Sequence, residues 1–397
     1  MAGEAPAGFR LFLHLLSSNW ACGRLTLTLP DGTHRSLKGR HGGRSAVLEI
    51  RSYRVAGRVL RGGDIGFAEA YMAGEWDSPD LAVLLEALAD NYDHIRRLVD
   101  GNPLVNAANW LGRRLNRNSR RGSRRNIHAH YDLGNAFYAA WLDETMTYSA
   151  ARFDHPSQPL AEAQKAKYAA LAQRMGLQSG HSVLEIGCGW GGFAEFAAAE
   201  VGATVTGVTI SREQHDFARR RLFEAGLADR ATIQLIDYRD VQGRFDRVAS
   251  IEMFEAVGRE YWPTYFDKVR SILRPGGIAG LQVITIRDDL FDDYEARTDF
   301  IQKYVFPGGS LPSEQQLAPV ISAAGLQWRD ISRFGPDYGR TLSLWSRGFR
   351  TAWPDIRRKS PRFDERFRRM WLFYLAYCEA GFRSGRTNVV QLTLHKA

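Results

Sequence analysis

Four of the six residues in Gly187-Cys-Gly-Trp-Gly-Gly192 are glycine, and they follow directly on the apolar run of Val183, Leu184 and Ile186. Glycines at 187, 189 and 191 tolerate positive φ and let the backbone approach a ligand closely. The apolar stretch 193–199 continues as a helix whose N-terminal amides face the same point. A buried strand, a glycine loop and a helix in this order form the first βα unit of a doubly wound fold and a seat for a nucleotide-like ligand. A tight turn that holds nothing is the alternative for the loop taken alone. Thr209 and Gln214 lie just past the next predicted strand, where a hydroxyl and an amide can bind ribose hydroxyls; a solvated helix start is the alternative. Glu255 follows the fourth predicted strand, at the sheet edge where ligands bind. Glu252 lies three residues earlier, so on a helix the two carboxylates would share a face, with capping and catalysis equally open to Glu252.

The elements that must position these residues are legible from periodicity. Strands are predicted at 183–186, 203–210, 231–236, 245–251 and 278–286, with a helix at 212–225 and Arg274-Pro-Gly-Gly277 closing the helix before the fifth strand. Such alternation implies an α/β fold with a mainly parallel sheet. Residues 1–105 read as a separate, smaller α+β domain, with alternating strands at 24–29 and 46–50 and an amphipathic helix at 81–98. Residues 106–125 read as a basic linker, since seven arginines fall between 113 and 125 among Asn, Ser and Gly. Residues 126–397 form the second domain. Within it, 367–382 is a helix apolar around much of its circumference, which suits core packing or the wall of an apolar pocket.

Composition bounds the function more loosely. The chain has 397 residues, 44% of them hydrophobic, which suggests two domains rather than one core. No run of about 18 uncharged apolar residues occurs and the N-terminus lacks the pattern of a signal peptide, so a cytoplasmic protein is expected. A net charge of +9 favours anionic partners, either nucleic acid or an anionic membrane. The arginine run carries no interleaved aromatics for base stacking, which argues against nucleic acid and leaves membrane docking and a solvated linker as its readings. Cys22, Cys188 and Cys378 are isolated, and His128 and His130 beside Asp132 have no further ligands near them, so no metal site is expected. Neither a G-x-S-x-G elbow nor an H-E-x-x-H pair is present.

The glycine spacing resembles the E-x-G-x-G-x-G of S-adenosylmethionine (SAM)-dependent methyltransferases rather than a G-x-G-x-x-G fingerprint. Several ordered motifs narrow the likeness. These are Gly63-Asp-Ile-Gly-Phe-Ala-Glu-Ala-Tyr-Met-Ala-Gly-Glu-Trp-Asp77, His130-Tyr-Asp-Leu-Gly-Asn135, the glycine loop, Gly207-Val-Thr-Ile-Ser-Arg-Glu-Gln214, Met253-Phe-Glu-Ala-Val-Gly258, Tyr304-Val-Phe-Pro-Gly-Gly309 and Phe334-Gly-Pro-Asp-Tyr338. Over nearly its whole length the chain resembles the cyclopropane-fatty-acyl-phospholipid synthase family. The resemblance implies a Rossmann-like core and transfer of a one-carbon unit from SAM to the double bond of an acyl chain in membrane phospholipid. It implies SAM contacts from Tyr131, Tyr148, Ser149, Gln164, Gly187, Gly189, Gly191, Thr209, Gln214, Asp237 and Tyr238. It further implies an acyl-chain pocket in 126–397, lipid or membrane association for 1–105, and a site of work at the inner face of the cell membrane. Exposed aromatic surface would permit a homodimer.

An alkene is a poor nucleophile, and its attack on a sulfonium methyl group builds carbocation character that needs negative charge or π-faces nearby. Glu255 and Tyr338 suit that need. In the family the base for ring closure resembles a bicarbonate held by a glutamate, a histidine, a tyrosine and backbone around a cysteine and an isoleucine. Glu255, Ile284 and Tyr338 match this set, whereas the cysteine position is Ala150 and the histidine position is Gln282. Gln282 can hydrogen-bond an anion but cannot carry a proton, and Ala150 offers only backbone groups. The reading is therefore a cyclopropane or a methyl-branched fatty acid, with methylation without ring closure as the alternative. A methyltransferase acting on a soluble metabolite is the further alternative.

Overall fold

The computed structural model describes residues 5–103, Asn118, Gly122 and residues 133–397. The arginines of 113–125, His128, His130, Tyr131 and Asp132 lie outside them. The chain divides into two compact units, one made of Met1–Leu115, Asp293–Val305 and Arg350–Arg386, the other of Asn116–Asp292, Phe306–Phe349 and Thr387–Ala397. Where the sequence reading runs one domain from 126 to 397, two stretches inside it cluster with the N-terminal unit.

In the first unit, β1 (Cys22–Thr28), β2 (His34–Lys38), β3 (His41–Ile50) and β4 (Trp76–Asp77) form a sheet in the order β2-β1-β3-β4. Leu25, Leu27, Ala46, Leu48 and Ile50 alternate inward, as period-two patterning requires. The predicted helix at 81–98 is two helices, Leu81–Asp90 and Arg96–Asp100. Asn91 ends the first one. Its side chain accepts from the amides of Ala21 and Cys22 at 2.8 Å each and donates to Ala87 O at 2.8 Å, which binds the helix end to β1 and stops propagation. The helix Glu365–Arg383 buries Trp371, Leu372, Phe373, Tyr374 and Leu375 as core. Its Arg369 lies over the Tyr71 ring at 3.9 Å and donates to Trp76 O at 2.8 Å and Asp77 Oδ2 at 3.1 Å.

The second unit is built on a seven-stranded sheet. Its strands are β5 (Ser182–Ile186), β6 (Thr204–Thr209), β7 (Ala231–Leu235), β8 (Phe245–Ile251), β9 (Leu273–Ile286), β10 (Leu326–Arg333) and β11 (Thr387–Lys396), in the order β10-β11-β9-β8-β5-β6-β7. Strands β5 to β9 pair parallel, while β11 runs antiparallel between β9 and β10. The sheet order reverses at β5, with β6 on one side and β8 on the other. The carboxyl ends of these strands frame the crevice in which doubly wound sheets bind ligands.

Arg274-Pro-Gly-Gly277 follows directly on the helix Trp262–Ile272, as expected, and falls within the bounds of β9, where the pairing with β8 jumps from Phe245↔Leu273 to Arg247↔Ile278. One local expectation is corrected. The stretch 193–199 is α-helical only over Gly192–Phe196 and continues as a π-helical turn, Ala197–Val201.

Candidate active site

The glycine loop is shaped by positions that only glycine fills without strain. Gly187, Gly189 and Gly191 have φ of +79°, +52° and +84°. A Cβ at Gly187 would lie 2.6 Å from Met253 Cγ and one at Gly191 3.0 Å from Ala218 Cβ, whereas one at Gly189 would meet nothing within 4 Å. The loop is tied to the neighbouring strand, since the amides of Gly187 and Cys188 donate to Val208 O at 3.0 and 3.1 Å. Glu185, on the strand leading into it, is buried with Oε2 lacking a hydrogen-bond partner, and burial pushes its carboxyl up to about 8.

Thr209 Oγ1 donates to Gln214 Oε1 at 3.0 Å and accepts from Ser211 N at 3.1 Å, so the two predicted ribose ligands are preset by one another. Asp237 begins a 3-10 turn, and Arg239 grips its carboxylate with two bonds of 2.8 and 2.7 Å. Tyr238 packs edge-on against Tyr265, with ring centroids 5.5 Å apart. Upstream, Gln164 Nε2 donates to Ser149 O at 3.0 Å, and Tyr148 packs among Tyr138, Trp141 and Trp345. A Cβ at Gly192 would lie 2.6 Å from Tyr168 Oη and 3.3 Å from Thr147 Oγ1, which places the segment before Tyr148 against the glycine loop.

The acidic part of the site departs from the expected pairing. Glu252 has a φ of +49°, so it lies on no helix and shares no helical face with Glu255. Its amide donates to Gln282 O at 2.8 Å. Its carboxylate accepts three hydrogen bonds: Ala150 N and Gln282 Nε2 both reach Oε1 at 2.8 Å, and Tyr338 Oη reaches Oε2 at 2.8 Å. Sequence reasoning set Tyr338 beside Glu255 and assigned Ala150 and Gln282 to a free anion; in the structure all three converge on Glu252. Glu255 Oε1 accepts from Ile284 N at 2.5 Å, and its enclosed Oε2 has no hydrogen-bond partner.

Both glutamates keep part of their surface accessible although protein surrounds them. Burial pushes Glu255 up to about 8, with the Glu252 charge adding to the shift. Burial also raises Glu252, opposed first by the positive charge of Lys167 and then by its three donors. Among the described residues no group of three or more His, Cys, Asp or Glu side chains could hold a metal.

Gln282 is itself held from behind, because Gln391 Nε2 donates to its Oε1 at 3.0 Å and to Lys167 O at 3.0 Å. Neither Lys167 nor Gln391 stands out in the sequence. Lys167 sits in a helix, Leu160–Arg174, whose many polar residues suggest solvent on every face. Glu252 could have been found as a second carboxylate close to Glu255, but only its backbone geometry shows which way it points.

The sheet order, the positive-φ glycine loop at the switch point and the preset Thr209 and Gln214 pair define a SAM-dependent methyltransferase fold. A family model for mycolic acid cyclopropane synthetase matches residues 118–392. The chain is 43% identical over 383 residues to a tuberculostearic acid methyltransferase of Mycobacterium tuberculosis, covering 93% of this chain and 87% of the relative. It is 37% identical over 351 residues to the cyclopropane-fatty-acyl-phospholipid synthase of Escherichia coli, covering 87% and 86%. Among solved structures, a cyclopropane synthase from Mycobacterium tuberculosis aligns with a TM-score of 0.64 at 30% identity, over 69% of this chain and 98% of that one. A mycolic acid cyclopropane synthase complexed with SAH and CTAB aligns with a TM-score of 0.63 at 29% identity, over the same shares. The chain belongs to the mycolic acid cyclopropane synthetase family, SAM-dependent lipid methyltransferases that include cyclopropane synthases and methyl-branching enzymes.

Proposed function

We propose that this protein methylates the double bond of an unsaturated acyl chain in membrane phospholipid, with Glu252 as the base that discharges the resulting cation. The observation that carries the reading is the triple-donor cradle of Ala150, Gln282 and Tyr338 around the Glu252 carboxylate. These are the positions where the family resemblance sets the donors to bicarbonate, so here a protein carboxylate stands in for the free anion.

The positive-φ glycines and the open space at Gly189 fit the methyl donor, with Gly187, Gly189 and Gly191 against its amino-acid part, Thr209 and Gln214 at its ribose, and Asp237 and Tyr238 at its adenine. Tyr148, Ser149 and Gln164 complete the contact set. Bound there, SAM supplies an electrophilic methyl group and departs as the neutral thioether. The π pair of the acyl double bond forms the new carbon–carbon bond, and the neighbouring carbon becomes cationic. The ionised Glu252 carboxylate and the Tyr338 ring stabilise that charge, while Glu255 stays protonated beside them. Glu252 then accepts a proton from a carbon beside the cation, and the released pair becomes a double bond in a methyl-branched chain.

Ring closure is the second reading. It needs Glu252 to take the proton from the new methyl group instead, the released pair closing the cyclopropane; the Escherichia coli relative favours it. The relative that matches 93% of this chain is named as a methyltransferase. Residues 1–105 and the arginines of 113–125 serve to hold the enzyme at an anionic membrane, each arginine near the surface adding roughly 1 kcal/mol.

Mass spectrometry of phospholipids from a host expressing the protein tests the reading. Acyl chains that gain one CH2 unit and keep an unsaturation support methyl branching. The same gain with the unsaturation lost to a ring moves the conclusion to cyclopropanation. Methyl transfer to small soluble acceptors, with none to unsaturated phospholipid vesicles, would sink both.

A further inference from the structure

Lys167 is fully buried, yet its ammonium has no carboxylate within hydrogen-bonding distance among the described residues. Nζ donates to Ser149 Oγ at 2.6 Å and lies 4.6 Å from the centroid of the Tyr168 ring. Ser149 precedes Ala150, whose amide holds Glu252, and Gln391 links the Lys167 carbonyl to the Gln282 side chain that holds the same carboxylate. A charge enclosed this way is costly unless an opposite charge is close.

We infer that Lys167 is a positioning residue: the fixed cation that keeps Glu252 ionised and so selects it, rather than Glu255, as the proton acceptor. The inference rests on Glu252 being the base. Two neighbouring buried carboxyls do not both ionise easily, and the charge settles where its surroundings stabilise it best. Glu252 has three donors and the field of Lys167. Glu255 accepts from Ile284 N, and the neighbouring Glu252 charge works against its ionisation. Protonation therefore falls on Glu255, and Glu252 carries the negative charge.

Among the described residues the other titratable groups facing this pair are these. Asp143 and Glu185 add negative potential at Lys167, Tyr168 presents its ring, and Tyr338 and Glu255 face Glu252. Burial draws the lysine down and pushes Glu252 up, and each charge opposes the loss of the other.

The test is the pH profile of kcat for the full-length enzyme on unsaturated phospholipid vesicles, comparing wild type, Lys167→Met, Lys167→Arg and Glu252→Gln. Lys167→Met moves the midpoint of the acid limb upward by roughly one pH unit or more, loses about ten-fold in rate at neutral pH and regains it in alkali. Lys167→Arg keeps the wild-type midpoint. An unshifted midpoint in Lys167→Met, or a loss that alkali does not restore, overturns the inference. Should Glu252→Gln retain wild-type activity, the base assignment itself fails, independently of Lys167.

A thermal double-mutant cycle covers the case in which Lys167→Met folds poorly. Removing both charges in Lys167→Met/Glu252→Gln raises the midpoint above that of Lys167→Met alone. Strictly additive shifts would overturn the coupling.

Discussion

Gln282 donates from Nε2 to Glu252 Oε1 at 2.8 Å while its own Oε1 accepts from Gln391 Nε2 at 3.0 Å. The amide is thus oriented from behind, with its donor end fixed on the carboxylate. A residue that cannot carry a proton serves here to hold one that can.

Replacing Gln282 with Leu removes a donor from Glu252 and takes from the buried Gln391 amide one of its two acceptors, leaving only the Lys167 carbonyl. We expect a stability loss of about 1–3 kcal/mol and an acid limb of kcat shifted to higher pH. Chemical denaturation and a pH–rate profile measure the two effects. A variant with unchanged stability would show that the Gln391 contact is dispensable.

Glu252→Gln keeps the side chain's size and loses its basicity. The rate of product formation should fall by roughly 10²–10⁴, with SAM affinity retained, as measured by calorimetry. Loss of SAM binding together with rate would point to a structural role instead.

Glu185 and Glu255 are both pushed up to about 8 from an ordinary value of 4.5, so in this range the folded protein binds more protons than the unfolded chain. The stabilisation is complete below 4.5 and declines as the pH rises through about 8. Thermal melts across this window should fall with pH, and Glu185→Gln and Glu255→Gln should each flatten the slope. Steeper slopes in these variants would contradict the assignment.

Gly189→Ala separates fold from ligand. Nothing in the protein lies within 4 Å of the added Cβ, so only the φ of +52° opposes it, at about 1–2 kcal/mol. The protein should stay folded by circular dichroism and lose SAM affinity markedly. Normal affinity would place the ligand elsewhere in the crevice.

Arg369 lies far in sequence from the strands it binds, and its guanidinium contacts Tyr71, Trp76 and Asp77 in the first unit. Arg369→Met should cost about 1–3 kcal/mol by leaving the buried carbonyls of Tyr71 and Trp76 without this donor, Asp77 keeping its pairing with Arg51. Differential scanning calorimetry would detect it, with SAM affinity at the second unit as the control.

The glycine loop and the succession of strands and helices behind it are local properties: glycine spacing, β-branched runs and helix starts are set by neighbours in the chain, and the sequence determined them without help. The strands β10 and β11 were not legible, because nothing local says that the last strand returns to pair antiparallel with β9. Nor was the helix break at Asn91, which depends on contacts to β1.

The family resemblance located Ala150, Gln282 and Tyr338, but that all three donate to Glu252 emerged only in three dimensions. They come from separate segments and meet because the backbone at Glu252 turns to positive φ, which periodicity reads as helix. The sequence pointed to the glycine loop as the seat proposed for the methyl donor. Which carboxylate faces the donors, and which buried cation stands behind it, was decided by tertiary packing, because charge placement depends on distances between segments rather than on order along the chain.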